Sequence, residues 1–277
     1  MFRSRQFKIV TAALLIFFAA STDAFAWGDL GHKIICEIAL RRVSPVTLTR
    51  IEELIRGDTD YKSFADACTW PDHPRKRASE HFLNLPRDSR GLGDDDCGGA
   101  SACVVRAILK DASILASKET SQSEKLASLK FLGHWVGDVH QPLHVSFEDD
   151  RGGNSTRISG ACQSNLHSAW DTCLVVLAVG NDAPTAALSL LKTIQPGQVQ
   201  AWIQSSPHDW ANESFAISEK TTTRYCHFVG SSCVGELTSL KIDDTYIAAN
   251  QPVVRGQLVK AGVRLAHLLD EAFAAPR

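Results

Sequence analysis

The sequence predicts an all-α protein, one mainly helical domain over 27–277 with long, disulfide-stapled loops. Apolar residues recur at helical spacing in several segments bounded by cap residues and breakers. Strand-like alternation is sparse, and no internal repeat, Pro-rich linker or shift of composition divides the chain. The first helix is expected at about 30–42. The next opens at Ser44-Pro45, where a cap residue precedes a proline at the first helical position, and ends near Gly57. A third covers 103–118. Ser121-x-x-Glu124 is a capping box opening a helix that carries Leu126, Leu129 and Leu132 and stops at Pro142. Further helices are expected at 167–180, 183–193 and 256–274, the last showing Leu258, Val263, Leu265 and Leu268 among polar residues. Arg87 to Ala102 and Phe147 to Asn165 read as glycine-rich loops, and 204–250 shows no clear period.

Of the 277 residues 44% are hydrophobic, which excludes a disordered or collagen-like chain. The formal net charge of -2 excludes the strongly basic surface on which most phosphate-tracking nucleic-acid binders rely. Residues 1–26 read as a cleavable signal peptide: Arg3, Arg5 and Lys8 form a positive start, Ile9 to Ala20 an apolar core, and Ala24-Phe25-Ala26 a small-x-small cleavage signal. A membrane span needs roughly 20 apolar residues, and this run is shorter. The expected mature protein starts at Trp27, has no membrane anchor, and is exported, periplasmic or secreted. Its eight cysteines then read as disulfides. Sequence alone permits about a hundred pairings. Locality suggests Cys97 with Cys103, Cys162 with Cys173 and Cys226 with Cys233, leaving Cys36 with Cys68. The competing reading, thiolate zinc ligation, lacks any C-x-x-C knuckle.

The densest chemical signal is F-L-G-H-W-V-G-D-V-H-Q-P-L-H, Phe131 to His144. His134 and Asp138 lie one helical turn apart on one face and can share a metal ion. His144 follows Pro142, beyond the helix end, where it can turn towards a different ion. N-L-H-S-A-W-D, Asn165 to Asp171, repeats the spacing at His167 and Asp171. Imidazole nitrogen and carboxylate oxygen both suit zinc. One such pair is more often a surface contact, but two with a third histidine between them point to metal. His140 falls on another face of the helix and is expected to make a structural hydrogen bond. Gly133-x-x-x-Gly137 is expected to permit close packing beside the cluster.

Upstream stand W-G-D-L-G-H (Trp27 to His32), A-C-T-W-P-D (Ala67 to Asp72) and H-F-L-N-L-P (His81 to Pro86). With these motifs in this order, the chain resembles the zinc-dependent single-strand nucleases of fungi, plants and bacteria, the S1/P1 type, whose fold is shared with bacterial zinc phospholipase C. The resemblance implies that fold and three zinc ions. Asp72, His81, His134 and Asp138 would hold the first. Trp27, through the amino group that signal cleavage creates and its carbonyl oxygen, His32 and the bridging Asp138 would hold the second. His144, His167 and Asp171 would hold the third. Asp66 is a rival for Asp72, but W-P-D followed by Arg75 keeps the family's spacing.

The same resemblance implies hydrolysis of single-stranded DNA and RNA to 5′-phosphate products, with 3′-nucleotides also substrates. The metal cluster supplies hydroxide and stabilises the leaving oxygen. Asp138 bridges ions, Asp72 orients the attacking water, and Arg75 offers a planar cationic fork to phosphate oxygens, a solvated surface charge being its alternative. Phe82 stands where the family stacks a base, with core packing as the other reading. Asn84 stands where many members have Asp, and Gly152, Gly153 and Asn154 of D-R-G-G-N can approach the base, or form a plain glycine turn. Asn154-Ser155-Thr156 and Asn212-Glu213-Ser214 are glycosylation sequons relevant only in a eukaryotic secretory host. A monomer is expected. A phospholipase C on this fold is disfavoured because only four residues separate Trp27 from His32 and the last carboxylate is Asp171 rather than Glu. A non-enzymatic zinc-binding protein would need neither Arg75, Phe82 nor the Gly-Gly-Asn turn.

Overall fold

The computed structural model describes residues 27–230, 232–234 and 239–274; the expected leader, 1–26, lies outside them. The helices are α1 (Asp29–Leu40), α2 (Pro45–Arg56), α3 (Phe64–Ala67), α4 (Val104–Ala116), α5 (Gln122–Val139), α6 (Leu166–Ser168), α7 (Leu174–Val179), α8 (Ala183–Leu191), α9 (Gln198–Ile203), α10 (Pro207–Ser218) and α11 (Asp244–Phe273). Six short strands accompany them: β1 (Leu83–Leu85), β2 (Val145–Phe147), β3 (Arg157–Gly160), β4 (His227–Val229), β5 (Ser232–Val234) and β6 (Ser239–Ile242). The expected caps form. Ser44 accepts from the Thr47 N–H ahead of Pro45, and Ser121 and Glu124 cap one another's backbone at the start of α5.

α5 is the spine of the molecule. Every residue from Leu132 to Val139 is buried, so this stretch is covered all round rather than amphipathic. It packs against α4, α1 and α11, and α11 in turn packs on α1 and α7. Two glycines make this closeness possible. A Cβ on Gly133 would lie 2.5 Å from Cys68 Sγ, and one on Gly137 would lie 2.6 Å from His32 Nδ1. The G-x-x-x-G spacing therefore serves packing, as expected.

All four expected disulfides are formed. Cys36–Cys68 joins α1 to the end of α3 across 32 residues of sequence, a closure that chain entropy values at about 4 kcal/mol. Cys162–Cys173 ties the loop after β3 to the turn ahead of α7, and Cys226–Cys233 closes the β4–β5 hairpin. β1 and β2 form a parallel pair with Leu83 opposite Val145. Because His81 and His144 immediately precede this ladder, it draws together two segments that are far apart in sequence.

Three expectations change. The 147–165 segment is not all loop, since β3 pairs with β6 in parallel and anchors it beside the start of α11. The unassigned 204–250 region contains α10, opened by a reciprocal Ser206/Asp209 cap. The last helix starts at Asp244 rather than about 256, with Asp243 capping the Tyr246 N–H. Pro252 hides this start in the sequence, because an internal proline normally ends a helix. Here Asn250, just before it, holds Thr222 O and Tyr246 O with its amide. Among the described residues, no single helix is long and apolar enough to cross a membrane.

Gly133→Ala is expected to lower stability by about 1–3 kcal/mol through overpacking against the Cys36–Cys68 bridge. Gly256→Ala, where a Cβ meets nothing within 4 Å in α11, is expected to raise it by about 0.5–1 kcal/mol. Denaturant unfolding of the two variants checks the opposite signs.

Candidate metal centre

Eight side chains from six parts of the chain converge in the interior. α5 supplies His134 and Asp138 one turn apart, and α1 supplies His32 across the Gly137 gap. The short turn Trp70–Asp72 supplies Asp72, and His81 ends the turn after Ala78–Glu80. The Pro142–His144 turn supplies His144, while α6 and the π turn that follows it supply His167 and Asp171. All are buried, and they form three groups whose ligand atoms lie within 4.8 Å of one another: His32/His134/Asp138, Asp72/His81/His134 and His144/His167/Asp171.

Backbone carbonyls fix the tautomers. The Nδ1 of His134, His144 and His167 face the carbonyls of Cys68, His81 and Gly152 at 2.8, 2.8 and 2.7 Å, and His81 Nε2 faces the Lys76 carbonyl at 2.8 Å. A carbonyl oxygen only accepts, so each facing nitrogen donates and the opposite ring nitrogen carries a lone pair. Those lone pairs point at one another: His134 Nε2 stands 3.1 Å from His81 Nδ1, and His144 Nε2 stands 3.2 Å from His167 Nε2. Neither is a hydrogen bond between neutral rings. Both are repulsive contacts that a cation between the nitrogens turns into attraction.

Protonation cannot supply that cation. Burial, reinforced for His32 by His81 and for His81 by Arg75, holds both rings down to about 3, and burial holds His167 down to about 4. Burial also keeps His134 and His144 well below the usual histidine range. The carboxyls are pushed the other way. Burial lifts Asp72 to about 6 against the pull of Arg75, and lifts Asp138 and Asp171 well above the ordinary range, with Asp72 adding to the push on Asp138.

The same atoms lack other partners. Both nitrogens of His32, Asp72 Oδ1, both oxygens of Asp138 and Asp171 Oδ2 are buried without a hydrogen bond. Each such orphan costs about 1–3 kcal/mol. Asp138 Oδ2 faces His81 and His134 at 3.2 and 3.4 Å, whereas its Oδ1 faces His32 at 3.5 Å, so one carboxylate addresses two groups. Neutral imidazoles and carboxylate oxygens converging in this way fit divalent metal ions, zinc among them. His140 shows the contrast: its Nδ1 donates to Val136 O, its Nε2 accepts from Arg264, and nothing is left for a metal.

A family model for S1/P1 nucleases matches residues 27–274. The chain belongs to the S1/P1 nuclease family. It is similar to nuclease S1 of Aspergillus oryzae, 30% identical over 96% of this chain and 98% of that protein. It is also similar to endonuclease 2 of Arabidopsis thaliana (28%, covering 96% of each) and to nuclease P1 of Penicillium citrinum (27%, covering 88% and 97%). An S1/P1 nuclease is a phosphodiester hydrolase, and three groups of metal-ligating side chains at one place suit that chemistry.

Within this S1/P1 nuclease Asp66 and Asp72 lie in different surroundings. Asp66 pairs with Lys33 at 2.8 Å at the surface, while Asp72 is in the cluster. Trp27 is fully buried, and the neighbouring Gly28 N–H donates to Asp171 O at 2.8 Å, so the start of the described chain lies against the third group. Arg75 is half-buried, and its charge is felt by Asp72, Asp138 and Asp171 together. Phe82 and Asn84 are half-buried and two residues apart at β1, so they share a face. Gly152 and Gly153 are buried at positive φ, and the turn holds His167 twice: Gly152 O accepts from its ring, and Gly153 O from its backbone N–H at 3.4 Å. Asn154 is half-buried, its amide donating to Arg151 O, and in the second sequon Asn212 Oδ1 accepts from the Leu92 N–H.

Two contributors escaped the sequence reading. Gln141 Nε2 donates to Asp171 Oδ1 at 2.5 Å, which leaves Oδ2 as the oxygen without a hydrogen bond. Its place in the Phe131–His144 run was the available signal. Lys76 donates to the carbonyls of Trp70, His73 and Pro74, lashing the loop that carries Asp72 and Arg75. A lysine beside two arginines offers no such signal.

The pH dependence of metal stabilisation follows. Asp72 titrates at about 6 in the folded, metal-free protein against an ordinary 3.8, so that protein loses stability from Asp72 as pH climbs between these values. A bound dication favours the ionised carboxylate and removes the loss. The zinc-induced rise in Tm is expected to be larger at pH 7 than at pH 5. Scanning calorimetry with and without zinc checks this, and an equal rise at both pH values contradicts it.

Proposed function

We propose that this S1/P1 nuclease is an exported, zinc-dependent enzyme that cuts single-stranded DNA and RNA to 5′-phosphate products, acts on 3′-nucleotides, and works as a monomer. The observation that carries the zinc reading is the convergence of unprotonated ring nitrogens and orphaned carboxylate oxygens in three adjoining groups. Asp72, His81, His134 and Asp138 would hold one ion, His32, Asp138 and the amino and carbonyl groups of Trp27 a second, and His144, His167 and Asp171 a third. Export is supported by the charged, apolar and small-residue pattern of 1–26, and its removal is what would give Trp27 its free amine. When bound, the ions lower the pKa of water and neutralise charge developing on the phosphate and the departing oxygen.

The chain's own residues do the rest. Asp72 Oδ1, which has no other hydrogen-bond partner, accepts from the attacking water and sets its direction. Arg75, whose charge acts on Asp72, Asp138 and Asp171, offers a planar cationic fork to the non-bridging oxygens of the phosphate, while Lys76 is held by backbone carbonyls. Phe82 offers a ring face to a base without demanding its identity, and Asn84, on the same face, presents both a donor and an acceptor. Unpaired bases can reach such a platform, whereas stacked bases of a duplex cannot. Asn154 borders the same site together with Gly152 and Gly153.

Zinc-loaded protein beginning at Trp27 is expected to degrade single-stranded DNA and RNA, to leave 5′-phosphate ends, to lose activity in a chelator and to regain it with zinc. Hydrolysis of phosphatidylcholine with nucleic acids and 3′-nucleotides left intact would overturn the reading. Asp138→Asn is expected to reduce both zinc content and kcat/KM more than Ala at His32 or at His144, since its two oxygens serve different groups. Parallel metal analysis and single-strand cleavage by the three variants test the ranking. Arg75→Ala is expected to lower kcat/KM about 10²-fold with zinc content unchanged, as measured on the same substrates.

A further inference from the structure

Behind the third group lies a buried polar assembly joined to it through the Gly152–Gly153 turn. Asp150, 1% exposed, accepts from the Gly153 N–H at 3.0 Å and from the Tyr225 hydroxyl at 2.5 Å, both on Oδ1. Its Oδ2 faces the Arg87 guanidinium at 3.7 Å. Arg87 is clamped by two hydrogen bonds to Asp149 and lies over the Phe147 and Tyr225 rings, 4.2 and 5.5 Å from their centroids. Gly153 is the residue after Gly152, whose carbonyl sets the His167 tautomer, and Gly152 N–H is held by Phe147 O. The turn does not hold this shape by itself, because Arg151 is strained at positive φ and the two glycines after it are free to adopt other conformations.

We propose that Asp150, Tyr225 and Arg87 are positioning residues for the third metal site: they fix the turn whose Gly152 carbonyl aims His167 Nε2 at the ion. The inference rests on the metal reading of His144, His167 and Asp171 but not on the identity of the substrate. Outer partners that orient a ligating histidine typically contribute 10–100-fold to metal affinity. Tyr225→Phe removes one hydroxyl and keeps the ring packed on Phe147, so it is the least disruptive probe.

The test is zinc titration of metal-free protein against a competing chelator dye, with His167→Ala marking which ion belongs to the third site. Tyr225→Phe is expected to weaken that one ion about 10-fold or more and to leave the others unchanged. In the His167→Ala background, Tyr225→Phe is expected to change zinc binding no further. Wild-type affinity for every ion in Tyr225→Phe overturns the proposal, as does a uniform weakening of all ions or a wild-type zinc content in His167→Ala. Should Tyr225→Phe not fold, Asp150→Asn, which keeps the acceptor oxygen and removes the charge facing Arg87, is read by the same titration with the same criteria. The expected loss of one ion's affinity in Tyr225→Phe, from a protein that leaves nucleic acid intact, would sink the nuclease substrate assignment and leave this inference standing.

Discussion

Everything in this molecule answers to one constraint: lone pairs of buried, neutral histidines are forced to face one another and face carboxylate oxygens that have no hydrogen-bond donors. Left alone, such an interior is repulsive, and burial disfavours the charged form of both kinds of group. The imidazoles cannot gain protons at moderate pH, and the carboxyls ionise only with difficulty. A divalent ion relieves both problems at once, so metal binding and the integrity of the folded interior are linked.

The scaffold holds that constraint by unusually direct means. Four backbone carbonyls, from Cys68, Lys76, His81 and Gly152, each take one ring proton. The His81 residue serves twice, offering its ring to the first group and its carbonyl to His144 of the third. α5 brings His134 and Asp138 into the cluster because Gly133 and Gly137 let α1 and the Cys36–Cys68 bridge come within contact distance. Its C-terminal end is held by a second buried network, in which Arg264 of α11 donates to His140, Glu213, Ser205 and the Trp202 carbonyl, and Gln257 donates to the His140 carbonyl. A buried charge of this kind adds little net stability, and here it ties α11 to His140 at the end of α5 and to Glu213 of α10.

The acidic balance of the chain acquires a specific meaning in this setting. A net charge of -2 argues against a surface that tracks long duplex DNA, and nothing in the fold reverses that. Positive charge is concentrated instead at one buried place, through Arg75 and, in the proposed reading, through the bound ions. Such an arrangement captures a single phosphate rather than a helix of them. It agrees with the proposed base platform at Phe82 and Asn84, which would need an unstacked nucleotide.

The sequence by itself determined the helical class, pointed to three short-range disulfides with Cys36 and Cys68 left over, and marked His134/Asp138 and His167/Asp171, because these are written in local spacing, whereas the other candidate ligands rested on the resemblance to a family. It did not reveal the start of α11, since Pro252 reads as a breaker and only the Asp243 cap and the packing on α1 override it. It left Asp66 and Asp72 in competition, because both lie in short motifs and only burial separates them. Tertiary structure alone decided the tautomers, the pairing of β1 with β2 that brings His81 beside His144, and the role of Gln141, Lys76 and the Asp150–Tyr225 pair. The physical reason is common to all of these. They depend on backbone carbonyls and on partners tens of residues away, and neither leaves a periodic trace in the chain.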